Sequence, residues 1–317
     1  MSLGEFDIIA KYFARNSGRS DVLLGIGDDA AVVATPADRR LVVALDTIVA
    51  GVHFPAGTVA ADIGYRALAV NLSDLAAMGA QPSWMTLSLS LSESNADWLE
   101  GFSRGLFELA QRHDVALIGG DTVKGPMVIS VQVAGYVETD RWLTRGGARV
   151  GDLVFVSGAV GEAAAGLALI QSERGDSLAA DHLRQRFLRP EPRIALGREL
   201  RTIVTAAMDI SDGLLTDLDK LCAASGCGAR VELEQLPRSS AIGELFDAQT
   251  ALDLALAGGD DYELLFTVDP LDVAKVPASC ICIGRIEAGS SVVCVREGQV
   301  VDVKRRGYDH FSAKESS

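Results

Sequence analysis

The sequence predicts an α/β (α+β) protein built from two domains. Apolar stretches of strand length alternate with longer stretches of helical periodicity. A length of 317 residues is typical of two domains with separate cores. Gly146, Gly147 and Gly151 mark a break near the middle of the chain. We therefore expect an N-terminal domain over residues 1–145 and a C-terminal domain over residues 146–317.

The first half of the chain contains three expected helices and five expected strands. Trp98, Phe102, Leu106 and Leu109 recur at helical spacing, whereas residues 85–91 alternate as a half-buried strand does. The helices are expected at residues 5–16, 61–78 and 96–112, and the strands at 30–33, 41–45, 85–91, 115–118 and 127–137.

The second half continues the alternation. Pro190 and Pro192 precede an expected helix, and Gly213 precedes another. Helices are expected at residues 162–171, 194–203, 214–224 and in parts of 239–256, with strands at 153–156, 206–209, 229–233 and 263–268 and short strands to about 303.

Composition excludes several classes of protein. With 43 acidic and 29 basic residues the formal charge is −14, and no basic stripe for nucleic acid is visible. No apolar run is long enough to span a membrane, and the N-terminal residues lack the basic and apolar regions of a signal peptide. The five cysteines include no C-x-x-C pair, which favours free buried thiols. We expect a cytoplasmic protein that needs cations to hold any phosphate ligand.

Aspartates carry the chemical signal. Gly25–Asp29 places two carboxylates side by side after a glycine turn, which alone favours a solvated turn. Three apolar strands are then expected to end at Asp46, Asp121 and Asp209, and the carboxyl ends of strands converge on ligands in α/β proteins. Converging carboxylates repel one another unless cations lie between them. The hard oxygen donors indicate magnesium.

Other chemistries lack their motifs. The sequence contains no Walker A sequence, no G-x-G-x-x-G fingerprint, no protein-kinase motif set and no H-E-x-x-H or G-x-S-x-G sequence. Only four histidines occur, which makes a histidine-built metal site improbable, and His113 and His182 are interpreted as surface helix residues.

Seven stretches of the chain match the motifs of one known family, in the same order and over residues 4–311. They are Gly25–Asp29, Asp46–Phe54, Asn71–Ala80, Gly119–Thr122, Asp209–Gly213, Gly258–Glu263 and Gly307–Phe311. With these stretches the chain resembles the thiamine-monophosphate kinase family of the aminoimidazole-ribonucleotide-synthetase-like superfamily. The aspartate motifs are those of the superfamily, and the His53-Phe54 segment and the Gly307–Phe311 stretch resemble the kinase.

The resemblance implies a two-domain fold, a homodimer that pairs its N-terminal sheets, and ATP and thiamine monophosphate as substrates. It implies Mg²⁺ ligation by Asp29, Asp46, Asp74, Asp121 and Asp209, with Asp212 at a further ion and Asp28 beside it. It implies ATP contacts from Gly120, Asp121, Arg145 and Ser211, and a thiamine site lined by His53, Asp260 and Tyr308. The expected reaction is direct in-line transfer of the ATP γ-phosphate, giving thiamine diphosphate and ADP.

The chain departs from the family at two positions. The family often has hydroxyl residues where this chain has Ala44-Leu45, and glutamate where it has Asp260. A reactive N-terminal cysteine and a C-terminal cysteine, which mark the selenophosphate-synthesising and hydrogenase-maturation branches, do not occur.

Alternatives stay open for single residues and for the activity. Arg145 alone could be a solvated loop residue, His53 a structural histidine and Tyr308 a packing residue. The alternative functions are an ATP-dependent ring-closing synthetase and a non-catalytic protein that binds nucleotide or cations.

Overall fold

The computed structural model describes residues 4–15, 18–303 and 307, and the chain forms two compact units. The first unit comprises Met1–Trp142 with Ile194–Arg198, and the second comprises Leu143–Arg193 with Glu199–Ser317. The domain boundary at residues 145 and 146 stays a prediction. In the described parts of the chain, no helix is both long enough and apolar enough to cross a membrane.

The first unit is built on a sheet that has four strands within the described residues, in the order β3-β6-β4-β5. Strands β4 and β5 are parallel, and β6 is antiparallel to its neighbours β3 and β4. The strands of the unit are β1 (Val22–Leu24), β2 (Val32–Val33), β3 (Arg39–Val49), β4 (Gln81–Leu91), β5 (Ala116–Lys124) and β6 (Val128–Glu138).

Helices cover one face of this sheet. Helix α1 (Glu5–Ile8) continues into a π-helical turn (Ile9–Phe13), and α2 (Ala60–Ala77) contacts the sheet and α3 (Ala96–Arg112). A Cβ on Gly105 would lie 1.8 Å from the Ala61 carbonyl oxygen, so α2 and α3 meet backbone to backbone. This close approach buries Leu68, Leu72 and Phe102 completely. The main apolar core of the unit therefore lies between the sheet and α2–α3.

The opposite face of the sheet is covered in part. The β1–β2 hairpin packs Val22 and Val33 against a cluster that includes Trp84 and Tyr136. On the edge strand β3, Leu41, Val43 and Leu45 alternate outward, and Leu45 is 60% exposed. An apolar sheet face therefore lies open in the single chain.

Asp21 anchors this hairpin. Its carboxylate accepts hydrogen bonds from Arg19 Nε at 2.8 Å, Ser83 Oγ at 2.9 Å and Trp84 Nε1 at 3.3 Å. Arg19 also donates to the backbone carbonyl and the side chain of Asp114, each at 2.6 Å. The Arg19 hydrogen bond is the main reason that the pKa of Asp21 falls from its ordinary 3.8 to about 2.

We expect Asp21→Asn to destabilise the protein by about 2 kcal/mol at pH 7. Because the folded-state pKa is depressed, the contribution is present above the unfolded pKa of about 4 and is lost as pH falls toward 2. Urea denaturation of both proteins between pH 7 and pH 2.5 measures this difference. A stability difference that does not shrink on acidification would contradict the ion-pair explanation.

The second unit has a sheet of seven strands among the described residues, in the order β13-β12-β9-β11-β7-β10-β8. Its core packs sheet residues such as Val156 and Met208 against Leu214, Leu218 and Leu221 of α7. The strands are β7 (Leu153–Val156), β8 (Val204–Asp209), β9 (Gly228–Glu232), β10 (Leu264–Val268), β11 (Ile281–Glu287), β12 (Val292–Arg296) and β13 (Gln299–Val301). The helices of this unit are α4 (Glu162–Ser172), α5 (Leu178–Leu188), α7 (Leu214–Ser225), α8 (Ser240–Leu245) and α9 (Ala248–Ala257). Most of α6 (Ile194–Leu200) belongs to the first unit.

The structure corrects three local predictions. The strands expected to end before Asp46 and Asp121 instead run through them, since Asp46 pairs with Val131 and Asp121 with Ser88 in continuous ladders. The single helix expected at 5–16 is a short α-helix followed by a π-helical turn. Helix α5 contains His182, which was interpreted as a surface helix residue, but no bounds were predicted for this helix. The expectation that a strand ends at Asp209 is confirmed.

Candidate active site

The first part of the candidate site is the loop between β1 and β2. Gly27 has a φ of 126°, which favours glycine, and it lets the chain turn into Asp28 and Asp29. Both carboxylates are exposed, and the Asp28 side chain accepts the Asp29 backbone N–H at 2.9 Å. The Asp21 anchor fixes the hairpin that carries them, so the two acids are held at a defined edge of the first unit.

A cavity of about 580 Å³ lies beside this loop. Asp28 and Asp29 line it together with Gly119–Thr122 of β5, which brings a third carboxylate, Asp121, to the same space. Its other wall is apolar and includes Phe6, whose side chain is 82% exposed, with Ile9 and Phe13. The cavity therefore joins an acidic end to an apolar wall.

Gly120 shapes the β5 side of this cavity. Its φ is 151°, and a Cβ there would lie 1.9 Å from the Leu87 carbonyl oxygen. No other residue type fits without moving β4. The backbone at Gly120, a predicted ATP contact, can therefore take this conformation only with glycine.

Asp46 and Asp74 lie at the other edge of the same sheet. Asn71 of α2 accepts the Asp46 backbone N–H at 2.8 Å, and Asp74 follows Asn71 by three residues on the same helix face. Strands β3 and β5 are separated by two strands, so Asp46 lies roughly 14 Å from Asp121 across the sheet. One chain therefore presents two acidic groups on this sheet, and not one convergent cluster of all its aspartates.

The donors suit magnesium by their chemistry. Mg²⁺ prefers carboxylate oxygens and is often held by one or two carboxylates together with substrate phosphates and water. Asp28, Asp29 and Asp121 bring such oxygens to one cavity large enough for a phosphate ligand. Among residues 4–15, 18–303 and 307, no three acidic, histidine or cysteine side chains lie close enough together to hold an ion by themselves.

In the second unit, Asp209 is the last residue of β8, and Ser211 and Asp212 follow the strand. Asp217 Oδ2 accepts the backbone N–H groups of Ser211 and Asp212 at 3.0 Å and of Gly213 at 3.2 Å. Burial raises the pKa of this Asp217 carboxyl. Asp217 thus fixes the loop that carries the predicted ATP and metal residues, a role that the sequence prediction missed. The sequence signal for this role was Asp217 itself, a carboxylate in the first turn of the helix that follows Asp212-Gly213.

Lys220 pairs with Asp212, the carboxylate that the family resemblance places at a further magnesium ion. Its ammonium group pairs with Asp212 and donates to Asp217 Oδ1 at 2.8 Å. Burial would lower the pKa of Lys220, but these two acids raise it. Asp212 is therefore neutralised by a protein cation in this state.

Asp260 lies on the loop between α9 and β10. Its φ is 70°, and its backbone N–H donates to the Ser211 carbonyl at 2.8 Å. Tyr262, with a φ of 52°, donates its hydroxyl to Asp260 Oδ1 at 3.2 Å. Asp260, the predicted thiamine contact, is therefore hydrogen-bonded to Ser211, the predicted ATP contact, and both lie in the second unit.

Three other predicted site residues have different positions. His53 Nδ1 accepts the Val49 backbone N–H at 3.1 Å, so the imidazole closes the turn after β3. Arg145 is exposed, and its backbone carbonyl accepts a hydrogen bond from Ser225 Oγ at 3.1 Å. Tyr308 lies outside the described residues.

Two buried acids next to Asp260 were not predicted as site residues. Asp261 and Glu263 are each 1% exposed. Burial raises the pKa of the Asp261 carboxyl to about 7, against hydrogen bonds from Gly161 and Ala163 that lower it. Burial acts in the same direction on Glu263, but Arg193 and Arg186 hold its pKa below the ordinary value. No local pattern in residues 260–263 shows that Asp261 and Glu263 are buried while Asp260 is only half-buried.

Known proteins match the chain over nearly its whole length. The family models described as AIR synthase related protein, N-terminal domain and C-terminal domain, match residues 27–137 and 149–303. Thiamine-monophosphate kinase from Escherichia coli K12 is 47% identical, with 98% of this chain and 99% of that protein covered.

Solved structures agree with this match. The crystal structure of thiamine-monophosphate kinase from Stenotrophomonas maltophilia has a TM-score of 0.86 and 46% identity, covering 95% of this chain and 99% of that one. A structure described as AaThiL complexed with AMPPCP and TMP has a TM-score of 0.79 and 34% identity, covering 90% and 92%. The chain therefore belongs to the thiamine-monophosphate kinase family and has its two-domain AIR synthase-like fold.

Proposed function

We infer that this protein transfers the γ-phosphoryl group of ATP to thiamine monophosphate, giving thiamine diphosphate and ADP. The observation that carries this inference is 47% identity to a thiamine-monophosphate kinase over nearly the full length of both chains. The cavity that joins Asp28, Asp29 and Asp121 to an apolar wall supports it, because a nucleoside triphosphate has an apolar base at one end and anionic phosphates at the other.

The acceptor needs no general base. The second pKa of a phosphate monoester is about 6, so its oxygen is already anionic at neutral pH. The barrier is the approach of this anion to the ATP γ-phosphate, and positioning together with charge neutralisation lowers it. Direct in-line transfer follows, with no phosphoenzyme.

The carboxylates hold the cations that this transfer requires. In this proposal Asp29, Asp46, Asp74, Asp121 and Asp209 are the magnesium ligands, with Asp28 beside them and Asp212 at a further ion. Bound Mg²⁺ supplies neutralisation of the phosphate charge and orientation of the phosphate oxygens. The side chains provide the fixed oxygens, and the hairpin anchored by Asp21 keeps Asp28 and Asp29 at the cavity.

ATP occupies the cavity of the first unit, with its phosphates toward Gly120 and Asp121 and its base on the Phe6, Ile9 and Phe13 wall. Arg145 and Ser211, which belong to the second unit, are kept as ATP contacts on the family resemblance alone. An aromatic side chain that is largely exposed at a cavity rim gains most by contact with a flat apolar group.

We expect Phe6→Ala to raise KM for ATP by about five- to tenfold, since the variant loses an aromatic contact with the base. kcat at saturating ATP and KM for thiamine monophosphate should stay within about twofold, because Phe6 is remote from the transferred group. Initial rates at varied ATP measure this. Leu271→Ala, which truncates a 90% exposed side chain of the second unit, is the control. An unchanged KM for ATP in Phe6→Ala would refute this placement of the base.

The acceptor is bound by His53, Asp260 and Tyr308. The Asp260 carboxylate suits the amino group or the cationic ring of a thiamine phosphate. Its side chain is shorter than the family's glutamate, and its backbone has a φ of 70°.

The functional unit is a homodimer that pairs the N-terminal sheets. Leu41, Val43 and Leu45 support this proposal, because they form an exposed apolar row on an edge strand, and such rows are normally covered. The compartment is the cytoplasm, in keeping with five cysteines that are free thiols in the structure.

The experiment is chromatographic detection of thiamine diphosphate from ATP, Mg²⁺ and thiamine monophosphate, with free thiamine as a parallel acceptor. Product from the monophosphate alone is expected, and chelation of Mg²⁺ should abolish it. Product from free thiamine would mean that the acceptor is a hydroxyl group. Absence of product from both acceptors would overturn the kinase assignment.

A further inference from the structure

Two buried carboxylates follow the half-buried Asp260 in the chain. Asp261 and Glu263 are each 1% exposed, and they point into the second unit while Asp260 stays accessible. Neither carboxylate is placed to touch a ligand, so their roles must act through the loop that they hold. Buried carboxylates are costly unless their oxygens are hydrogen-bonded, and here both are.

Asp261 ties the loop to the start of α4. Its Oδ2 accepts the Gly161 backbone N–H at 2.5 Å and its Oδ1 accepts the Ala163 backbone N–H at 3.1 Å. These are N–H groups at the helix N-terminus, which have no partner within the helix. The loop is therefore attached to a rigid element through one side chain.

Glu263 ties the other side of the loop to α5 and β7. Its Oε1 accepts Arg186 Nη2 at 2.7 Å, its Oε2 accepts Arg193 Nε at 2.8 Å, and it also accepts the Ser157 hydroxyl. Ser157 Oγ in turn accepts the Leu264 backbone N–H at 2.8 Å. The first residue of β10 is thus fixed in place.

The backbone next to Asp261 and Glu263 has an uncommon conformation. Asp260 and Tyr262 both have positive φ values, 70° and 52°, which non-glycine residues adopt only where their surroundings require it. Their N–H groups donate to Ser211 at 2.8 Å and Ile210 at 2.9 Å. The loop is therefore bonded to the segment that follows β8, and the position of Asp260 is restrained by these bonds together with the Asp261 and Glu263 side chains.

We propose that Asp261 is a positioning residue for the acceptor: by capping α4 it holds Asp260 in the orientation that binds thiamine monophosphate. This proposal rests on the proposed function and extends it to a residue that contacts no substrate. The Asp261 side chain acts through the geometry of residues 258–263, and its loss changes acceptor affinity more than turnover.

The test is Asp261→Asn, which keeps the shape of the side chain but turns one acceptor oxygen into a donor that faces a backbone N–H. KM for thiamine monophosphate should rise about tenfold, while kcat and KM for ATP stay within about threefold. Asp152→Asn is the matched control. Asp152 is 3% exposed and accepts Arg149 N–H at 2.9 Å and Thr205 Oγ1 at 2.6 Å, at the opposite end of β7 from Ser157. It should lower stability without a change in KM.

A double-mutant cycle separates positioning from general damage. If Asp261 acts through Asp260, the variant Asp260→Asn/Asp261→Asn should bind the acceptor about as weakly as Asp260→Asn alone. If the two substitutions raise KM for thiamine monophosphate independently, so that their effects multiply in the double variant, the proposal is overturned. It is also overturned if Asp261→Asn, like Asp152→Asn, lowers stability without changing KM. Asp261→Ser, which keeps one capping acceptor, replaces Asp261→Asn if the latter does not fold. A wild-type protein that makes no thiamine diphosphate would instead refute the function itself.

Discussion

Asp121→Asn is expected to lower kcat by about a hundredfold or more and to leave the fold intact. Asp121 is exposed on β5 and lines the cavity with Asp28 and Asp29, so its replacement should not disturb the buried core. The amide keeps the shape but removes the charge that, in the proposed function, holds a cation against the phosphates. Comparable losses follow removal of one electrostatic group that acts in a transition state. Steady-state rates at varied Mg²⁺ measure the effect.

Asp97→Asn is the control for this experiment. Asp97 is an exposed aspartate in the first turn of α3, in the same unit as Asp121. Its replacement removes an equal charge and should change kcat by less than about twofold, because only a helix-dipole interaction is lost. Near-normal turnover of Asp121→Asn at saturating Mg²⁺ would show that this carboxylate holds no essential cation.

Arg186→Met should lower the free energy of unfolding by about 3 kcal/mol. Arg186 bridges two buried acids, donating to Glu263 Oε1 at 2.7 Å and to Glu162 Oε2 at 3.0 Å. Methionine keeps the aliphatic stem but leaves both carboxylates short of a partner, and breaking a buried ion pair typically costs about 3–5 kcal/mol. Equilibrium urea denaturation, followed by circular dichroism, measures the loss.

Lys275→Met provides the comparison with an exposed pair. Lys275 Nζ lies 2.6 Å from Asp272 Oδ1, but the lysine side chain is 62% exposed. Such pairs contribute less than about 1 kcal/mol. Equal destabilisation by the two substitutions would mean that burial of the Arg186 network contributes nothing to the stability of the second unit.

Sequence patterns correctly predicted the helices and strands in which the spacing of apolar residues is regular throughout. Helix α3 spans the expected residues 96–112, and its Asn95 cap accepts the Trp98 N–H. Strand β7 spans the expected residues 153–156. These elements bury a regular set of apolar side chains, so their limits are visible without tertiary contacts.

Patterns failed where pairing with neighbouring strands overrides local polarity. Asp46 and Asp121 looked like strand ends because a charged residue follows an apolar run. Ladders with β6 and β4 continue both strands, and the outward position of each aspartate lets it stay in the sheet. Strand order, which separates the two acids, depends on contacts that no local pattern encodes.

The candidate site was predicted as a set of residues but not as an arrangement. The functional roles of the aspartates in the motifs stay predictions, whereas the structural roles of Asp217, Asp261 and Glu263 depend on partners that folding supplies. Glu263 meets Arg186 and Arg193 across sequence separations of 77 and 70 residues. Burial and a distant partner together define such a residue, and neither is visible in a short motif.

A single-turnover experiment tests the central claim most directly. Excess protein with Mg²⁺ and thiamine monophosphate is mixed with limiting ATP labelled in its γ-phosphate, and the label is followed in product, protein and free phosphate. Direct transfer predicts that the label passes to thiamine diphosphate in one phase, with none on the protein. Release of the label as inorganic phosphate, as a ring-closing synthetase would produce, or its appearance on the protein before the product, would contradict the account.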